Sequence, residues 1–434
     1  MSLFPNHGGP PPFINMKLKD KKLSLPSFNI DHKKKVILSP DDNSVKHGSY
    51  KNFIVKPNTS IDSSKELNND VFDFVINPSS IPSVPSEVYL QYEVVVNNSD
   101  LSSTSSVRTI PSACGMIQYI DVFLNGHQGS VIQRLYGISL DWDIFSMNSV
   151  DKLTTLTSNL ELGKSPTNPG SSFIVYTNSA NPKQPRQLKI PLDQSILNKI
   201  NFGSITNSIT LRVKFQPKSI WFYSQSGPGS PQLCLSDCYV SMRYFDDPIN
   251  DGIFKDKLQD LPLSIPFTST TTMNTTINVV ANGSYIVKLP ISHDLISRMW
   301  IFISPSPTFN GANWNYLWAA SDSSVLPKDG NFDIQNHQSK SIFGSRGYNF
   351  FEILSDGRIK NSNQMNYVFG PGLLIFSKEM DTDNLDNGYI TLDTQHNLVI
   401  SNSNTNTLGI HYVNIYFTTL RQVDLNDGQF FNVH

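Results

Sequence analysis

Asp141 and Asp143 flank Trp142, and Asp381 and Asp383 open the run Asp-Thr-Asp-Asn-Leu-Asp-Asn at 381–387. Paired carboxylates can act as acid and base on a glycosidic bond, or ligate Ca2+. The 381–387 run lacks the Gly and the closing Glu of an EF-hand loop, so neither a metal nor a catalytic role is assigned to either pair. His293, in Ile291-Ser-His-Asp294, lies between a strand-like stretch and an apolar segment, where a lone His is a hydrogen-bonded structural residue more often than a base. The nine His residues are scattered without ligand spacing, and no G-x-S-x-G motif presents a nucleophile. Three cysteines, Cys114, Cys234 and Cys238, are odd in number and include only one close pair, with no His or third Cys beside it. Buried reduced thiols are expected, not a disulfide framework or a zinc site. Sequons at Asn58, Asn97, Asn274 and Asn282 arise readily in a chain this rich in Asn, Ser and Thr. The expectation is a protein that is not an enzyme, with no catalytic residue, cofactor, metal or small-molecule substrate.

What remains is β surface. From Gly115 to Leu124 the chain alternates, with Ile117, Tyr119, Asp121 and Phe123 on one face and Met116, Ile120, Val122 and Leu124 on the other, as in a strand covered on both sides. Asn125-Gly126 follows, a dipeptide that accepts the positive φ angles of a tight hairpin turn. A second apolar run, Val131–Trp142, comes next. Leu135–Met147 is the one helical candidate, with weak helical spacing and a strand alternative that is nearly as good.

The chain has 434 residues, a formal net charge of −2 and only 16% charged residues, against about a quarter in an ordinary globular domain. No global field recruits nucleic acid or membrane. An uncharged polar surface of this kind suits extensive contacts. No signal segment opens the sequence and no run approaches about 18 apolar residues, so a non-secreted chain without a membrane span is expected.

Residues 1–65 read as a flexible arm. Gly8, Gly9 and Pro10–Pro12 oppose regular structure, and Lys17, Lys19, Lys21, Lys22, Lys33, Lys34 and Lys35 then crowd together. Such an arm either stays solvated or meets phosphates, lipid heads or a neighbouring subunit. From about 66 onward β-branched and aromatic runs separated by turn residues continue: 71–76, 87–96, 115–124, 173–176, 187–190, 209–215 and 238–244 in one half. The other half has 276–281, 284–289, 298–303, 348–354, 373–377, 389–392, 397–401 and 409–418. Turn formers at Asp246–Gly252 divide them, giving a first module at 66–247, a linker at 248–262 and a second module at 263–434. The fold class is all-β, two tandem sandwiches of about eight strands each, the number a jelly roll needs.

Val131-Ile132-x-x-Leu135-Tyr136-Gly137 after the Gly115 strand, Val88–Val94 before it, Val287–Ser304 with His293 and Trp300, and Tyr416–Gly428 near the end together span about a third of the chain. As an ordered set they resemble the double jelly-roll major capsid proteins of double-stranded DNA viruses, the giant-virus, virophage and polinton-like lineage. The resemblance implies a homotrimeric capsomer of near-hexagonal outline, tiling an icosahedral virion shell. It also implies neighbouring capsomers and minor or vertex capsid proteins as partners, with the arm turned inward to genome or an inner membrane. Loops at Lys152–Ser172 and Pro305–Ser339 would cap the capsomer, with Trp314, Tyr316 and Trp318 as contact anchors or a glycan-binding patch. A lectin-like tandem sandwich and a minor or vertex capsid protein are the alternatives.

Overall fold

The structure, a computed structural model, describes residues 49–78, 81, 83–98, 104–110, 112–124, 131–140, 144, 173–177, 185–246, 263–280, 283–304, 331–342, 346–347, 373–377, 390–392, 394–401, 409–426 and 429–433. The first half contains β1 (Ser49–Val55), β2 (Val71–Ile76), β3 (Pro85–Asn97), β4 (Ser105–Thr109), β5 (Ile117–Leu124), β6 (Gln133–Tyr136), β7 (Phe173–Thr177), β8 (Arg186–Pro191), β9 (Ile209–Phe215), β10 (Phe222–Ser226) and β11 (Gln232–Asp246). The second contains β12 (Leu263–Val279), β13 (Ser284–Lys288), β14 (Ser292–Ser304), β15 (Asn331–Gln335), β16 (Arg346–Gly347), β17 (Leu373–Ser377), β18 (Ile390–Leu392), β19 (Asn397–Ser401), β20 (Gly409–Asn426) and β21 (Gln429–Val433).

In the first half the two main sheets have the orders β1-β11-β3-β8 and β2-β9-β5-β6, and β10-β4-β7 form a small accessory sheet. If the eight principal strands are counted in chain order, these sheets read 1-8-3-6 and 2-7-4-5. That interleaving of two Greek keys is a jelly roll. In the second half the sheets are β12-β20-β14-β17 and β13-β19-β15-β16, with β18 also on β14 and β21 on β20. Counted the same way, they again read 1-8-3-6 and 2-7-4-5. The two halves therefore repeat each other in topology without repeating in sequence.

Period-2 alternation puts one face of each strand between its sheets. Phe74, Leu90, Tyr92, Ile120, Val122, Leu211, Phe215 and Val240 are buried in the first sandwich, and Phe267, Trp300, Leu398, Val413 and Ile415 in the second. Each such side chain contributes roughly 1.5–3 kcal/mol relative to exposure. The Tyr92 hydroxyl, deep in this core, donates to the Ala113 carbonyl oxygen at 2.8 Å, so its one polar atom is not stranded. None of the three cysteines is in a disulfide, and all three are buried.

Several expectations need correction. Strand β1 lies inside the 1–65 span read as an arm; its Phe53, Ile54 and Val55 come after so much lysine that composition hid a short strand, which β11 stabilises by pairing. Ile117 does not share the face of Tyr119, because a bulge between them turns Ile117 into the core with Ile120 and Val122. The Leu135–Met147 stretch begins as strand, since Leu135 and Tyr136 pair with Ile120 and Tyr119, and among its described residues is helical over 137–140 and at Ile144. Gly137 makes that change possible: a Cβ there would lie 2.0 Å from the Ile117 carbonyl oxygen and 2.1 Å from that of Cys114. The 305–339 span is not wholly loop, because β15 occupies Asn331–Gln335. The Asn125-Gly126 turn and the 348–354 run lie outside the described residues.

Candidate functional site

Both sandwiches belong to one unit, Tyr50–His434, and they meet along a polar seam. Strand β6 ends its sheet in the first sandwich and β12 ends its sheet in the second, and these two edges face each other. Pro266 and Thr268, two residues apart on β12, turn their carbonyls away from β20 toward the first sandwich. A proline fits this position, since an edge strand needs no donor on its open side.

The first sandwich supplies the missing donors. Lys199 Nζ donates to the Pro266 carbonyl oxygen at 3.0 Å. Gln133 Nε2 donates to the Thr268 carbonyl oxygen at 2.5 Å and to that of Gln194 at 2.8 Å, while its Oε1 accepts from the Ile196 N–H at 2.9 Å. Two donors meet two carbonyls and one acceptor meets one N–H, so only an amide satisfies this fully buried position. Next to it, the Arg134 N–H donates to Ser269 Oγ at 3.1 Å, and the Ser269 carbonyl oxygen accepts from Thr419 Oγ1 at 3.1 Å. The rings of Tyr136 and Tyr416 close the seam edge to face, with centroids 5.8 Å apart.

Behind the seam, one register row crosses the whole sheet with alternating charge: Asp73, Arg212, Asp121, Arg134. Arg134 Nε and Nη2 each donate to an Asp121 carboxylate oxygen at 2.6 Å, and its guanidinium lies 4.3 Å from the Tyr119 ring centroid. Arg212 makes the same two-pronged contact with Asp73 at 2.8 Å. The hydrogen bonds that Arg134 donates to Asp121 hold the Arg134 pKa well above its ordinary value. Asp121 is only 2% exposed, so this carboxylate relies on its guanidinium partner. The row fixes β6 against β5, and thereby aims Gln133 and the Arg134 backbone at β12.

Lys17, Lys19, Lys21, Lys22, Lys33, Lys34 and Lys35 lie outside the described residues, as do Trp314, Tyr316 and Trp318, and both carboxylate pairs. His293 is exposed on β14. Among the described residues no three His, Cys, Asp or Glu side chains come together as a metal site, and no helix is long and apolar enough to cross a membrane. Reading the sequence alone passed over Gln133 and Arg134 as the two unspecified positions between Ile132 and Leu135. The available signal was their polarity within an apolar strand.

No protein-family model matches the sequence, and no curated protein does. Solved structures do match. The PBCV-1 virus capsid protein superposes with a TM-score of 0.57 at 12% identity, over 88% of this chain and 96% of its own. The Faustovirus major capsid protein gives a TM-score of 0.58 at 8% identity, over 86% and 90%. The chain has the double jelly-roll fold. The mavirus major capsid protein agrees, with a TM-score of 0.50 at 12% identity over 98% of this chain and 96% of its own. At such low identity the similarity concerns the fold alone.

Proposed function

We propose that this double jelly roll is the major capsid protein of a double-stranded DNA virus, and that three copies form a capsomer of near-hexagonal outline tiling an icosahedral shell. The observation that carries this reading is the seam: two sandwiches of identical strand order are locked side by side by buried hydrogen bonds, so one chain supplies two equivalent sectors of a ring. Its mechanism is assembly, not catalysis. Free energy comes from burying apolar and uncharged polar surface, and few charges need desolvation because only 16% of residues carry one. Obligate interfaces of this kind bury on the order of 2,000 Å² or more.

In this reading residues 248–262 link the two modules, and the protein works in the virion shell. Its partners are other capsomers and minor or vertex capsid proteins. The lysines between Lys17 and Lys35 meet an anionic surface inside the shell, genome or membrane, as point charges.

The test is the native mass of the full chain by size exclusion with light scattering at several salt concentrations. A salt-resistant species of three times 48.6 kDa is expected. A monomer at every concentration refutes the capsomer.

A further inference from the structure

The seam inside the chain also specifies a seam between chains. Internally, the fifth principal strand of the first sandwich, β6, lies against the first principal strand of the second, β12. Because the strand order repeats, each chain keeps one more edge of each kind. The fifth strand of the second sandwich is β16, and the first strand of the first sandwich is β1; both end their sheets. These leftover edges are unlike each other, so copies joining through them contact head to tail, an arrangement that gives a closed ring or an open filament. Six sandwiches with six seams of one kind close after three chains.

The exposed surface of β1 agrees with this. Tyr50 is 59% and Ile54 is 54% exposed, whereas Ser269 on the equivalent strand β12, which accepts from the Arg134 N–H of the first sandwich, is buried. An edge strand left open to water normally carries charges that discourage pairing. Here Lys51, although 55% exposed, is neutralised by an ion pair with Asp246, and Arg243 lies over the Tyr50 ring at 4.5 Å from its centroid, so the two apolar side chains share the edge with paired rather than free cations. Phe245 supports Tyr50 from beneath, edge to face, at 5.3 Å.

We propose that the Tyr50–Val55 edge is the docking surface for a second copy of this chain, which presents its β16 edge in the way that β6 is presented to β12. The inference rests on the capsomer reading and names the surface that closes the capsomer.

The native thiols are all buried, which makes an added cysteine a selective probe. Tyr50→Cys and, as a control, Ile286→Cys on β13 (65% exposed) are prepared in the full chain and treated with a maleimide. Trimers of Tyr50→Cys are expected to react at least ~10-fold more slowly than trimers of Ile286→Cys. A separate Tyr50→Asp/Ile54→Asp variant is expected to run as a monomer with the thermal unfolding of an intact double sandwich. If that variant does not fold, the labelling rates decide. A trimer in which both added thiols react equally fast overturns this surface and leaves the capsomer reading standing. A monomeric wild-type chain overturns both.

Discussion

Replacing Gln133 tests whether the seam is a lock or only a contact. Gln133→Leu keeps nearly the same volume but removes three hydrogen bonds, two to backbone of the first sandwich and one to the Thr268 carbonyl of the second. It also strands their partners away from water. A neutral hydrogen bond is worth about 1 kcal/mol net, and a buried partner left unsatisfied costs about 1–3 kcal/mol, so a loss of roughly 3 kcal/mol or more is expected. For a domain of this size each kcal/mol lowers the midpoint by roughly 2–4 °C, which amounts to a fall of about 6–12 °C in calorimetry. The loss should also divide one cooperative transition into two, because Thr268 is the seam acceptor that Gln133 reaches from the other sandwich. Gln133→Glu should be worse near neutral pH, since a carboxylate placed against the carbonyl oxygens of Gln194 and Thr268 repels both. Acidification should partly rescue it: burial without a cation raises the folded pKa, so stability is recovered as pH falls. A midpoint within about 1 °C of wild type for Gln133→Leu, with a single transition, refutes the lock.

The charged row makes an ordered prediction. Asp121→Asn strips the partner from a half-buried Arg134 and should cost about 3 kcal/mol or more, whereas Asp73→Asn, at a carboxylate 22% exposed against 3% for Asp121, should cost about half as much or less by chemical denaturation. Equal losses would show that burial does not grade the row. The cysteines predict an alkaline limit to stability. Burial pushes the Cys234 thiol up to about 11 from an ordinary 9.0, and burial raises that of Cys238 further. With folded values above unfolded ones, the folded state holds protons that the unfolded chain releases, so stability is intact below pH 9 and declines from there toward 11. Midpoints measured from pH 7 to 11 should fall more steeply for wild type than for Cys238→Ala, and parallel curves would exclude the thiols as the cause.

How much of this was legible in the sequence differs by level. The strands were, because a period of two in β-branched and aromatic residues is a local property: 71–76, 209–215, 284–289 and 397–401 lie within a residue of the structural strands. The burial of Ile120, Val122 and Leu124 was legible from their alternation. Strand β1 was not, since a short edge strand owes its order to β11, far along the chain. The bulge at Ile117 was not either, because it depends on how β9 pairs with β5. Least legible was the seam. Gln133 reads as an ordinary polar residue until tertiary structure places the Gln194, Ile196 and Thr268 backbones around its amide. Strand order is set by pairings between residues distant in the chain, so two halves without sequence similarity can share 1-8-3-6 and 2-7-4-5. The sequence by itself determined where many of the strands would fall and that they would form two tandem sandwiches. Only the tertiary structure decided which edges were buried against each other and which were left open at the ends of their sheets.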